Sequence, residues 1–199
     1  MAETQRDVSR RAETLLDFWF APEGPSEGDR LRDVWFDATP EFDAALAERF
    51  RVDHDRAAAG AYDSWRTAPQ TCLALVLLLD QLPRNLFRNS PQAYTTDAAA
   101  LDVAREAVAR GYDRALQPVR RSFLYLPFEH SEALADQETS VRLYAALPEH
   151  PDKSAFVEAA EGHRAIIARF GRFPHRNRIL ARVSTAEEQA FLQQPGSSY

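Results

Sequence analysis

Eight consecutive apolar residues, Cys72 to Leu79, sit inside a Gly-free run from Pro69 to Arg88. A stretch that is apolar on every face has to be covered on every face. A helix from about Pro69 to Arg88 is therefore expected at the centre of the fold, with the other elements packed around it. The run is far short of the ~20 residues that a membrane span requires, so the cover is expected to be protein.

Start and stop signals mark helices along the rest of the chain, and no strand-like alternation of useful length interrupts them. The first helix is expected from Ser9 to Phe20, followed by a Pro/Gly/Ser loop from Pro22 to Gly28. Thr39-Pro40 reads as an N-cap with Pro at the first helical position, opening a helix to about Ala59 that Gly60 closes. After the central helix, Thr96 is expected to cap a helix that stops at Gly111. A short helix spans Pro118 to Leu126 and is ended by Pro127; the next runs from about Glu129 to Leu147. Another runs from Asp152 to Phe170 with Gly171 at its C-cap, and a short piece covers His175 to Ala181. Ser184 or Thr185, with Glu187 and Glu188, gives a capping-box signal for a last helix to about Leu192. The expectation is an all-α chain: one domain over residues 1–199, with about eight helices packed as antiparallel pairs. Its 199 residues suffice to bury roughly 70% of the unfolded surface without staples. Asp17-Phe-Trp-Phe20 echoes Asp33-Val-Trp-Phe36, but no repeat period is kept, so the echo reads as two aromatic anchors.

The lone cysteine, Cys72, excludes an intrachain disulfide and reads as a small core residue in a reducing compartment. The N-terminus carries acids and lacks the apolar segment of a signal peptide, so a cytoplasmic location without membrane attachment is expected. A net charge of −6 argues against general nucleic-acid binding. The charge is uneven, because residues 163–182 hold six Arg, two His and no acid. An acidic chain with one basic segment suits local binding of an anion, although those Arg could equally pair with the surplus carboxylates.

Helical wheels locate polar side chains inside apolar stripes. On the helix expected from Glu129, His130 and Gln137 fall within the arc of Ala133, Leu134, Val141, Tyr144 and Ala145, while Glu132 faces water or a neighbouring loop. On the next helix His163 falls within the stripe of Phe156, Ala160, Ile166 and Ile167. A buried imidazole without a partner costs about 1–3 kcal/mol. These residues therefore call for mutual hydrogen bonds, trapped water or a ligand; satisfied core histidines are the plainer reading.

The central helix ends abruptly in Asp80-Gln-Leu-Pro-Arg-Asn-Leu-Phe-Arg88. Asp80 and Arg84 share a face and can pair, Gln81 and Asn85 form a neighbouring polar row, and Pro83 cannot donate to the Leu79 carbonyl and should kink the helix. In Phe170 to Asn177, Gly171 is expected at positive φ and Pro174 starts a new turn, which gathers Arg172, His175 and Arg176 where a carboxylate or phosphate could bind. No Gly-rich phosphate loop, nucleophile elbow or zinc-helix motif occurs; His130, His163 and His175 with a nearby Glu could bind a metal, but their spacing is not diagnostic, and no cofactor is named by the residues.

Five segments carry a resemblance: 16–20 (Leu-Asp-Phe-Trp-Phe), 78–85 (Leu-Leu-Asp-Gln-Leu-Pro-Arg-Asn), 126–132 (Leu-Pro-Phe-Glu-His-Ser-Glu), 170–177 (Phe-Gly-Arg-Phe-Pro-His-Arg-Asn) and 184–188 (Ser-Thr-Ala-Glu-Glu). On these the chain resembles, over nearly its whole length, the bacterial domain-of-unknown-function family numbered 924. The resemblance implies a helical fold similar to tetratricopeptide-like superhelices and implies no particular activity. The family pattern has Leu-Gly-Arg where this chain has Leu180-Ala181-Arg182, a departure that bears on a close backbone approach at that Gly.

Together these readings give a buried, partly cationic pocket for a small anionic molecule, possible ground for an enzyme. His130 or His163 would exchange a proton, oriented by Glu132 or Asp80. Arg84, Arg172 and Arg176 would hold the anion, with Asn85, Gln137, His175 and Asn177 lining the site. The rival reading is a helical groove for an acidic peptide or partner protein; a single-stranded RNA surface over 163–182 is a third.

Overall fold

A computed structural model describes residues 5–20, 30–35 and 39–197. The Pro22 to Gly28 loop and Phe36 lie outside the described residues. The described residues hold helices and turns and no strand, and none of their helices is long and apolar enough to cross a membrane.

The α-helices are α1 (Gln5–Phe20), α2 (Pro40–Ala58), α3 (Pro69–Val76), α4 (Leu82–Leu86), α5 (Asp97–Ala109), α6 (Pro118–Glu129), α7 (Leu134–Ala145), α8 (Lys153–Phe170) and α9 (Ala186–Leu192). Their ends follow local chemistry. The Thr39 hydroxyl accepts the Phe42 N–H at the start of α2, and Thr185 and Glu188 form the expected capping box of α9. Gly171 ends α8 with φ 68°, a left-handed conformation with no steric cost for a residue lacking Cβ.

The centre is the run from Pro69 to Leu86, as its all-round apolarity demands. Residues 72–79 and Leu82 are all buried. Around it α1, α5 and α6 pack on α3, and α2 packs on α4. One core cluster extends from Ala12 in α1 to Ala160 in α8. A smaller cluster joins Ile166, Ile167 and Phe173, with Phe170 and Phe191 against it.

The central run is not one regular helix. Residues Leu77–Gln81 wind as a single π turn, closed by the Leu82 N–H on the Leu77 carbonyl. This leaves the Leu78 carbonyl without its usual donor, and Pro83 has no N–H to offer Leu79. Both oxygens are taken from outside: His54 Nδ1–H donates to Leu78 at 2.8 Å and the Thr96 hydroxyl to Leu79 at 2.5 Å. Thr96 therefore does not cap α5 with its side chain, as its position suggests.

A second departure concerns Pro127. It lies inside α6, which continues to Glu129, with His130 as C-cap. Only the one hydrogen bond that the missing N–H would make is lost, and the last turn is closed by the His130 N–H on the Leu126 carbonyl. The chain then leaves the helix and α7 begins at Leu134, so His130 and Gln137 do not share a helix.

Candidate functional site

The π turn and the end of α6 bring Asp80 and His130 together across fifty positions of sequence. Asp80 is completely buried. Its Oδ1 accepts His130 Nδ1–H at 2.8 Å and its Oδ2 accepts the Gln81 amide at 2.6 Å. Burial would raise the Asp80 carboxyl; Arg84, with Nη1 at 3.5 Å, and His130 outweigh it and hold the group well below the usual range. The ionised acceptor fixes the proton of His130 on Nδ1 and leaves Nε2 with its lone pair. Burial and Arg84 hold this imidazole below its ordinary value, against the pull of Asp80. Nε2 has no hydrogen bond among the described residues, and the side chain is 14% exposed.

Two guanidiniums flank the dyad. Arg84 donates to the Asp80 carbonyl at 2.6 Å and grips Asp97 with both terminal nitrogens, at 2.8 and 3.0 Å. Arg176 Nη1 donates to the His130 carbonyl at 3.1 Å and lies 3.7 Å from Asp97 Oδ2. Its guanidinium sits 4.9 Å from the Tyr94 ring centre and 4.4 Å from that of Phe173, while Arg84 lies 5.6 Å from the same Tyr94 ring. Arg176 is buried, and its Nε has no hydrogen-bond partner. Asp97 thus bridges the two cations.

Behind the dyad lies a second polar layer. Glu129 is buried, with Oε1 3.2 Å from His163 Nδ1, and the neighbouring Tyr144 hydroxyl donates to the Ser122 carbonyl at 3.0 Å. Burial drives the Glu129 carboxyl up to about 8, Tyr144 opposing and Asp80 adding. Burial takes His163 down to about 3, although its Nδ1–H donates to the Ala159 carbonyl at 2.8 Å. The layer is therefore uncharged near neutral pH. Gln137, completely buried, donates to the carbonyls of Glu129 and Ser131, each at 2.6 Å. It caps α6 from α7, which explains a buried amide better than a shared helix with His130 does. Its Oε1 and the Ser140 hydroxyl are buried without hydrogen-bond partners.

The other expected residues have separate tasks. Arg172 is held by Glu188 at 2.6 and 2.8 Å and does not join Arg84 and Arg176. Glu132 accepts the Phe173 N–H at 2.8 Å and both terminal nitrogens of Arg182 at 2.7 and 3.0 Å, so it organises the 170–182 loop. Asn177 serves the same loop, donating to Ser184 and accepting from Arg182. Asn85 donates to Asp43 at 2.8 Å and ties α4 to α2. His175 stands beside Phe173 with Nδ1 buried and unpartnered, lowered to about 4 by burial and Arg176. Among the described residues no group of three or more His, Cys, Asp or Glu is placed to hold a metal ion.

Sequence reasoning missed Asp97, Tyr94 and Glu129. Asp97 reads as an ordinary acid in the first turn of a helix. Glu129 carries one usable signal, since it closes a helix that is otherwise apolar from Phe123 to Phe128.

Among curated proteins none matches the sequence. One solved structure, titled "Structure of Protein of Unknown Function ATU0120 from Agrobacterium tumefaciens", is similar at 41% identity and a TM-score of 0.83, over 94% of this chain and 99% of that one. A match to the family described as "Bacterial protein of unknown function (DUF924)" runs over residues 15–196, so the chain belongs to that family.

Proposed function

We propose that the Asp80–His130 dyad and the Arg84–Arg176 pair form a binding site for a small anionic molecule, able to exchange a proton with it. The frame is a single helical domain with tetratricopeptide-like stacking, supported by the continuous core from α1 to α8 and by the successive packing of α5 on α6, α6 on α7 and α7 on α8. One observation carries the reading: His130 is clamped through Nδ1 by a buried carboxylate while Nε2 carries no hydrogen bond among the described residues. An imidazole held in one tautomer beside two guanidiniums is what a proton acceptor for a bound anion requires. The π turn beneath Asp80 supports it too, because such turns are frequent at functional sites. Arg176 adds a buried guanidinium with one nitrogen still unpartnered.

The acidic-peptide reading needs exposed arginines along a groove. Arg84 and Arg176 are instead drawn inward around Asp97, which favours a small ligand. The test is a thermal-shift screen of the wild type and Arg176→Gln with sulfate, phosphate, simple carboxylates and nucleotides. An anion that raises the wild-type Tm, by about 2.7 kcal/mol of stability at a hundredfold excess over Kd, and fails to raise that of the variant supports the site. A wild type that no anion stabilises overturns it.

A further inference from the structure

The charges around His130 balance before any ligand arrives. From the π turn and α4 come Asp80 and Arg84, from α5 Asp97, and from the 174–176 turn Arg176. Two carboxylates thus face two guanidiniums. His163 and Glu129, behind the dyad, and His175, beside Arg176, are uncharged near neutral pH for the reasons given above. Glu132, the next acid along, is matched by Arg182.

An anion arriving beside His130 adds charge that no resident group offsets, and uncompensated charge among buried groups is strongly unfavourable. It also meets the His130 Nε2 lone pair, which repels an incoming oxygen. One proton offsets one unit of that charge and removes the lone-pair repulsion. On Nε2 it turns His130 into an imidazolium held on one side by Asp80 and on the other by the ligand.

Building on the proposed anion site, we infer that the ligand binds together with one proton, and that His130 Nε2 receives it. The protein is then a proton-linked anion binder whose affinity is set by pH. The atoms balance simply: solvent gives one H⁺, the N–H bond forms at Nε2, and the anion keeps its charge. The ligand class follows, being an oxyanion able to accept a hydrogen bond from imidazolium while an Arg holds another oxygen, such as a phosphate or carboxylate.

Isothermal titration with sulfate tests this, because sulfate keeps its charge between pH 6 and 8. Run in two buffers of different ionisation enthalpy at pH 7, the titration is expected to show close to one proton taken up per sulfate bound. The affinity is expected to fall by up to about tenfold from pH 6 to pH 7, below the range in which Glu129 titrates. His130→Asn, which retains a donor for Asp80, is expected to bind sulfate more weakly and without proton uptake. Wild-type binding with no net uptake overturns the inference and leaves the anion site standing. Uptake that persists in His130→Asn places the proton elsewhere and also overturns it. No sulfate binding by the wild type at any of these pH values overturns both readings.

Discussion

Thr96 donates its hydroxyl to the Leu79 carbonyl at 2.5 Å across seventeen positions of sequence. The bond joins the entry of α5 to the middle of the buried π turn and replaces the N–H that Pro83 lacks. Replacing Thr96 by Val keeps the shape and removes the donor, leaving a buried carbonyl unsatisfied. Thr96→Val is expected to lower unfolding free energy by about 1–3 kcal/mol, as read by urea denaturation. A change near zero would mean that another donor reaches Leu79.

Asp80 should prove the costliest polar residue to neutralise. It is completely buried and its negative charge is the counterpart of Arg84. Asp80→Asn is expected to destabilise by about 3–5 kcal/mol at pH 7, the range for breaking a buried pair by removing one partner. The Asp80 carboxyl lies below its ordinary value in the folded state, so its contribution is complete above about pH 3.9 and declines as pH falls below that. The gap between wild type and Asp80→Asn, followed by denaturation from pH 7 to pH 3, should narrow only at the acid end.

Glu129 predicts the opposite pH slope. Its folded carboxyl titrates at about 8, whereas an unfolded glutamate titrates at about 4.3. Between those values the folded state holds a proton that the unfolded state has lost, so stability declines as pH rises, by at most about 1.4 kcal/mol per unit from this group. Glu129→Gln removes the decline. The variant is expected to gain on the wild type steadily from pH 5 to pH 8 in urea midpoints. A protonated-carboxyl infrared band in the wild type at pH 6, absent in Glu129→Gln, would identify the same proton directly. Parallel pH profiles would refute the assignment.

Ala181 occupies a left-handed conformation, φ 53°. The requirement there is a positive φ. An L-residue in that region costs roughly 1–2 kcal/mol, against which Gly loses more chain entropy on folding. Ala181→Gly is expected to stabilise by about 0.5–1 kcal/mol, visible as a higher Tm. A lower Tm would show that the Ala methyl contributes packing that outweighs the strain.

These four residues divide between what could and could not be read from sequence. The buried helix over 72–79, the Thr39 and Thr185 caps, the positive φ of Gly171 and the inward turn of His163 and Gln137 follow from local chemistry, and local chemistry is what a sequence displays. The π turn, the passage of α6 through Pro127 and the departure of His130 from α7 depend on partners far along the chain: His54, Thr96 and Asp80. Among the arginines the same division holds. Composition marks 163–182 as basic, but only the fold sends Arg172 to Glu188 and Arg176 to His130 and Asp97. Asp97 was illegible for a related reason, because its task is set by Arg84 on another helix.

The π turn has a bearing on how this helix tolerates a change in its length. A winding that closes from Leu82 back to Leu77 stores one residue more than an ordinary turn. Deleting a single leucine there would let the backbone ladder close in the regular way, an outcome most buried helices cannot survive without losing phase. The loss would fall on His54, whose acceptor at Leu78 would be taken up by the regular ladder, while the carbonyl facing Pro83 would still call for Thr96. The surplus leucine thus acts as a shim that opens one backbone oxygen to His54 while the helix on either side stays in phase.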